Sequence, residues 1–508
     1  MAMTMMTMTM PGFPPLSVVG LVFPSLLLLL FFLHRLISSI GNKTSKQPLK
    51  CYPLVASSID IYRNRHRRNQ WLSELLLQSP TATFVLQRPL GLRQVFTANP
   101  ANVRHILKSH FHLYPKGLYL HTALSDFLGS GIFNSDGPHW KSLRQISSHE
   151  FNTKSLRTFV HSVVRSELSL RLLPILSSAA SSSNSTLDLQ DLLQRFAFDN
   201  ICNITFGHDP RCLLPSLPNT LFASSFDDAV RISSERFNCV LPLFWKTKRF
   251  LNVGSERRLK KAISLVRDFA RTIVKQKKKE FINLTNTNHP NNANNAAAQD
   301  LLSRLILSNN NGGEDDETLG VDMVISFILA GRDTTSAALT WFFWLVSRNP
   351  RVEAEILKEI KGIEEEGSRD DGGMMVYEEV RREMGYTEAA LCESMRLYPP
   401  VPTDTKEAAE DDVLPDGTEV RKGTRVAYHP YTMGRMERDP YEYPVFQAGP
   451  RVCLGKDMAM LQMKSVVAGV MRRFRVVPVL AEGAEPVFIA DLTAKMKGGF
   501  PVRIEARE

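Results

Sequence analysis

The chain has 508 residues, 43% of them apolar, enough to bury a large core as two or three ordinary domains or one large helical one. Its formal net charge of +10 suits an anionic membrane surface or an acidic protein partner; no basic patch interleaved with aromatic residues points to nucleic acid. The six cysteines (Cys51, Cys202, Cys212, Cys239, Cys392 and Cys453) lack the paired spacing of a zinc module or a disulfide scaffold, which suits a reducing compartment.

Residues 1–15 are rich in Met and Thr and carry no Lys or Arg. Leu16–Leu33 follows as an uncharged, mostly apolar run that would span about 27 Å as a helix, enough for a thin bilayer such as that of the endoplasmic reticulum. Pro24 can kink it, which membrane helices tolerate. Arg35, Lys43, Lys46 and Lys50 come next and predict that the rest of the chain stays in the cytosol. Without a basic leader or a small-residue cleavage site, a retained anchor is expected over a cleaved signal peptide. Residues 1–40 therefore read as an anchor segment, with the transmembrane part at about 16–33, and residues 41–508 as one domain.

A hinge with Pro48 and Pro53 leads to a basic stretch, Arg63–Arg68, which reads as a solvated face or a contact with lipid headgroups. The pattern beyond is mostly helical, with strands expected at Thr83–Leu86 and Gln94–Phe96. Polar low-complexity runs at Ser177–Ser185, Asn283–Asn295 and Glu364–Gly373 read as loops. Val321–Ser347 is apolar nearly all round, yet Arg332, Asp333, Thr334 and Thr335 sit at its middle, where lipid would make charge costly. A helix through a protein core fits better than a second membrane span.

Four stretches carry the chemistry. Trp140 and Arg144 in HWKSLR are one helical turn apart and share a face, which taken alone is an ordinary amphipathic helix. In Ala330-Gly331-Arg332-Asp333-Thr334 two small residues leave room over a flat ligand, and Thr334 can bond back to a carbonyl and loosen the helix. Glu393 and Arg396, three apart on a helix stopped by Pro399 and Pro400, are alone an unremarkable pair. Phe446–Gly455 reads FQAGPRVCLG: Gly449 and Gly455 let backbone N–H groups approach the Cys453 sulfur, and Arg451 supplies a fixed cation for a carboxylate. Alone, Cys453 could be an inert buried thiol.

The last stretch, F-x-x-G-x-R-x-C-x-G, resembles the haem-binding loop of the cytochrome P450 monooxygenases, and the other three motifs occur in that family's order. The resemblance implies a mainly α fold with small β-sheets (α+β) behind the membrane anchor, and haem as cofactor. It implies Cys453 as axial ligand to the haem iron, in a loop framed by Phe446, Gly449 and Gly455. Arg451, Trp140 and Arg144 would lie on the haem propionates, Asp333 and Thr334 would be the catalytic acid–alcohol pair that moves protons to dioxygen, and Glu393 with Arg396 would brace the haem-side core. With no flavin or nicotinamide motif in the chain, electrons are expected from an NADPH-cytochrome P450 reductase, whose acidic face Lys456, Lys464, Arg472 and Arg473 would suit. The expected location is the endoplasmic reticulum membrane, with the haem domain facing the cytosol.

The runs FLGSGIF (Phe127–Phe133), Leu414-Pro415-Asp416-Gly417 and Met433-Gly434-Arg435-Met436 resemble a plant branch that contains fatty-acid omega-hydroxylases and jasmonoyl-isoleucine hydroxylases. A long-chain fatty acid is the expected substrate, with the hormone conjugate as the alternative. One departure stands out. The family's Pro-Glu-Arg-Phe-like segment is missing where YHPYTMGRM runs into Asp439-Pro440-Tyr441-Glu442-Tyr443, and its arginine would complete a triad with Glu393 and Arg396. Arg435 or Arg438 would have to substitute, or the chain would be a haem-deficient, non-catalytic remnant.

Overall fold

The computed structural model describes residues 57–507 apart from 90–91, 152–153, 183–184, 219–220, 240, 287–301, 303–313, 367–376, 437–442 and 481–483. The expected anchor at Leu16–Leu33, the hinge at Pro48 and Pro53, and Arg438 lie outside the described residues. Among those described, no helix is long and apolar enough to cross a membrane, so the run through Val321–Ser347 is an interior helix, as its central charges require.

Helix α1 (Arg68–Gln78) leads into strands β1 (Thr83–Gln87) and β2 (Arg93–Thr97), at the two places where alternation predicts strands. Seven of the following helices are α2 (Gly117–Leu128), α3 (Gly137–Phe151), α4 (Lys154–Glu167), α5 (Leu173–Ala180), α6 (Leu189–Phe206), α7 (Leu221–Asn238) and α8 (Pro242–Leu251). After α9 (Gly254–Asn286) the central helix runs as α10 (Glu314–Ile328), a wide π-turn over Leu329–Asp333, and α11 (Thr334–Ser347). Helices α12 (Pro350–Glu366) and α13 (Gly385–Leu397) precede strands β3 (Asp404–Glu407) and β4 (Arg425–Tyr428). Helix α14 (Lys456–Arg473) follows the Cys453 loop, and strands β5 (Phe474–Pro478), β6 (Phe488–Ala490), β7 (Ala494–Met496) and β8 (Pro501–Ala506) close the chain.

Local chemistry sets these ends. Asp188 caps α6 by accepting the Asp191 N–H, and Gly207, at φ +59°, takes the left-handed turn that ends it. α13 stops at Leu397 because residues ahead of Pro399 and Pro400 are pushed out of helical geometry. The expected loop at Ser177–Ser185 begins instead inside α5. Leu176 and Ala179 are buried there, and their packing outweighs the weak helix propensity of the serines.

The largest sheet has four strands in the order β1-β2-β4-β3. β2 and β4 are parallel, with Gln94 opposite Arg425, while β3 runs antiparallel to β4 with Lys406 opposite Val426. Two large cores flank the central helix. Val321–Leu329 packs with α2, α7 and α9 residues such as Phe127, Phe226 and Val266. Ala338–Val346 packs instead with α4, α6 and α14 residues such as Val164, Leu193 and Val467. The π-turn falls where the helix passes from one core to the other.

Candidate functional site

The Cys453 loop is held from below. Gly449 sits at φ +67°, and a Cβ there would come within 2.0 Å of the Leu107 carbonyl oxygen, so only glycine lets the loop rest on the helical turn at His105–Ser109. The Cys453 N–H donates to the Phe446 carbonyl at 2.8 Å and closes the loop. Cys453 itself is exposed. Crowding by nearby protein atoms still pushes its thiol up, while the Gly455 backbone N–H and the Arg144 and Lys456 charges pull the other way. The Gly455 N–H therefore serves the sulfur as its position predicts.

Trp140 and Arg144 on α3 meet this loop. The Arg144 Nη2 donates to the Val452 carbonyl, next to Cys453, and the Arg451 guanidinium lies 4.3 Å from the Trp140 ring centroid. Arg451 Nη2 also donates to Asp136 Oδ1 at 2.7 Å and to the Ser135 carbonyl at 2.9 Å, whereas its buried Nε has no acceptor among the described residues.

Asp136 is a hub that no motif announced. Burial alone would raise its carboxyl; the His121 ring, the N–H groups of Lys116 and Gly117, and Arg451 together hold it well below the usual carboxylate range. Lys116 Nζ bonds Asp404 Oδ1 at 2.8 Å, and the other Asp404 oxygen accepts from Gln447 at 2.9 Å and from Tyr428 at 3.1 Å. Lys406, 1% exposed, lies 3.6 Å from Asp404, and its ammonium finds no hydrogen-bond acceptor among the described residues. Desolvation pushes its pKa far down, with Lys116 and Arg451 adding to the push. Nothing in the sequence flagged this ammonium, and only the fold buries the middle of β3.

Two buried cationic groups, Arg451 Nε and Lys406 Nζ, thus lack acceptors close to the Cys453 loop. At Gly455 an added Cβ would meet only Met458 Cε, at 3.7 Å, which leaves space beside the sulfur. A flat cofactor that carries carboxylates fits this donor set.

On the central helix, Thr334 Oγ1 donates to the Ala330 carbonyl at 2.6 Å, at the π-turn where the helix loosens. Ala330 and Thr334 are only partly buried, on a face that stays open. Gly331 has another purpose than the expected one: a Cβ on it would strike Ile201 at 2.5 Å, so its smallness serves the approach of α6. Asp333 is buried, with Arg332 at 3.2 Å, Gln194 at 3.4 Å and Thr493 at 3.3 Å around its carboxylate.

Glu393 and Arg396 form a bidentate pair at 2.6 and 2.7 Å, and Arg396 also reaches the Gly434 carbonyl. Their side chains are 56% and 36% exposed, unlike a buried brace. Arg435 does not complete a triad with them; it stacks on Tyr431 at 3.5 Å and bonds that residue's carbonyl. Lys464 leaves the expected reductase face as well. It is buried, donating to Glu388 and to the Arg381 carbonyl at 3.0 Å each, because its position on α14 faces the core.

The family model "Cytochrome P450" matches residues 78–444 and 435–497, two stretches that overlap at 435–444. Cytochrome P450 94A2 of Vicia sativa is 54% identical over 92% of this chain and 93% of its own length. Cytochrome P450 94B1 of Arabidopsis thaliana is 44% identical over 93% of this chain and 92% of its own. The fold is shared with the haem domain of cytochrome P450DA, at a TM-score of 0.71 and 18% identity, covering 91% of this chain and 97% of that one. The chain therefore belongs to the cytochrome P450 family, as a haem-dependent monooxygenase of its plant 94 branch.

Proposed function

We propose that the protein hydroxylates an aliphatic carboxylate, most specifically the omega position of long-chain fatty acids. Residues 1–40 would anchor it in the endoplasmic reticulum membrane, and residues 41–508 would form the cytosolic haem domain. An NADPH-cytochrome P450 reductase would supply its electrons. Bound haem supplies the oxidation of an unactivated C–H bond by dioxygen.

The chain's own residues do the rest. Cys453 would give its thiolate to the iron, with the Gly455 N–H on the sulfur and the Phe446 carbonyl closing the loop. Arg451, Trp140 and Arg144 would hold the propionates, and the unpartnered Lys406 Nζ would offer them a further donor. Thr334 holds a hydroxyl proton at the open face of the central helix, and buried Asp333 is the adjoining acid. The observation that carries the reading is the π-turn at Leu329–Asp333, which hangs the Thr334 hydroxyl at the break. Turnover of lauric and oleic acid with reductase and NADPH tests it. Oxidation of jasmonoyl-isoleucine and of neither fatty acid would move the assignment to the hormone conjugate.

A second reading has its own support. The exposed Glu393–Arg396 pair and the division of the family match at 435–444 fit a haem-deficient remnant. The spectrum of the reduced, carbon-monoxide-bound protein separates the two: a thiolate-ligated shift supports the enzyme, and absence of haem supports the remnant.

A further inference from the structure

Away from the Cys453 loop, three arginines crowd together with no carboxylate among the described residues. Arg425 opens β4 and is 7% exposed; Arg88, just after β1, is 6% exposed. None of the three guanidinium nitrogens of Arg425 finds an acceptor, and neither does Nε of Arg88, whose Nη1 reaches only the Cys239 carbonyl at 3.3 Å. Arg425 is walled by aromatic faces, with its guanidinium carbon 4.0 Å from the Tyr119 ring centroid and 4.6 Å from that of Phe237. Tyr119 spends its hydroxyl proton on the carbonyls of Phe237 and Cys239. Its oxygen, with Cys239 beside Arg88, offsets part of the mutual repulsion of Arg425, Arg88 and Arg68. Desolvation, reinforced by Arg88, pulls Arg425 down to about 9.

Leaving a buried guanidinium without an acceptor costs stability, so a fold that keeps two side by side has a use for them when an anion arrives. We propose that Arg88 and Arg425, between Tyr119 and Phe237, form the subsite that binds the substrate's carboxylate head group. The inference rests on the aliphatic-carboxylate reading above and deepens it. A guanidinium fork takes a carboxylate through two parallel N–H···O bonds, and the two rings exclude the water that would compete. Phe237 packs against the core that also contains Leu329 of the π-turn, so an aliphatic tail leaving the head group has an apolar path toward Thr334. Arg425 is also three residues, on the order of 10 Å, along β4 from Tyr428, whose hydroxyl bonds Gln447 of the Cys453 loop, and the odd spacing puts the two side chains on opposite faces of the strand. The substrate would be held by one end and oxidised at the other.

The test is equilibrium dialysis of radiolabelled dodecanoate and methyl dodecanoate against the haem-loaded full-length protein and its Arg88→Gln, Arg425→Leu and Arg425→Lys variants. The wild type is expected to prefer the acid. Arg88→Gln and Arg425→Leu should weaken acid binding by about 10- to 100-fold while shifting the ester by less than about threefold. Arg425→Lys, which keeps the charge without the fork, should fall between. Should Arg425→Leu fail to take up haem, Arg88→Gln and Arg425→Lys decide. Loss of acid and ester binding together, or of neither, overturns the clamp and leaves the substrate class standing. Equal binding of acid and ester by the wild type overturns carboxylate recognition, and binding of neither overturns the substrate reading with it.

Discussion

Gly449→Ala probes how the Cys453 loop is held. The new Cβ would stand 2.0 Å from the Leu107 carbonyl oxygen, whereas a relaxed carbon–oxygen contact needs about 3.3 Å, so loop and helical turn must part by roughly 1.3 Å. Neither partner is a flexible side-chain end, and a non-glycine residue at φ +67° adds about 1–2 kcal/mol of its own. Together with the overpacking the loss is about 2–4 kcal/mol, which in a chain of this length lowers Tm by roughly 2–4 °C. Calorimetry of the haem-free protein and haem content after purification measure the two consequences. Gly455→Ala is the matched comparison. Its φ is −89° and its Cβ meets only Met458 Cε at 3.7 Å, so the haem-free protein should keep its Tm while haem uptake falls. If Gly449→Ala keeps both its Tm and full haem content, the account of the loop's seat is wrong.

Three further outcomes are expected. Lys406→Met should leave the haem-free protein as stable or more so, because a desolvated cation without a hydrogen bond is removed, yet it should weaken haem retention; unchanged haem loss to an acceptor protein would refute this. Asp136 has its pKa depressed in the folded state, so its contribution to stability is full above the unfolded value near ~4 and is lost as pH falls below it. Asp136→Asn should flatten the acid limb of a Tm-against-pH curve, and an unchanged limb would contradict the hub. Thr334→Ala removes one back-bond to Ala330 and should cost less than about 1 kcal/mol of stability, while product formed per NADPH consumed falls; an unchanged ratio would remove Thr334 from proton handling.

Much of this site could be read in the sequence, for a physical reason. Helical spacing placed Trp140 and Arg144 on one face, and the structure delivers both to the Cys453 loop. The same logic foresaw the Thr334 back-bond, because hydroxyls inside helices have few other acceptors. Steric purpose was less legible. Gly331 fits Ile201 of α6, a contact between residues far apart in sequence. Lys406, Asp404 and Arg425 look like solvated charges until β3 and β4 are set side by side, since alternation along a strand does not say which strands flank it. Lys464 failed in the other direction, as a cation assigned to a surface that the helix turns inward.

The passage of the central helix from one core to the other has a consequence for how such a protein can change. Trp140 belongs to the Phe127 and Phe226 core and stands against Arg451, while Val467 and its neighbours on α14, just after the Cys453 loop, pack on the opposite half of the helix, so both cores reach that loop. An exchange on either side is therefore felt at the sulfur-bearing loop, from opposite halves of one helix that a loosened turn joins.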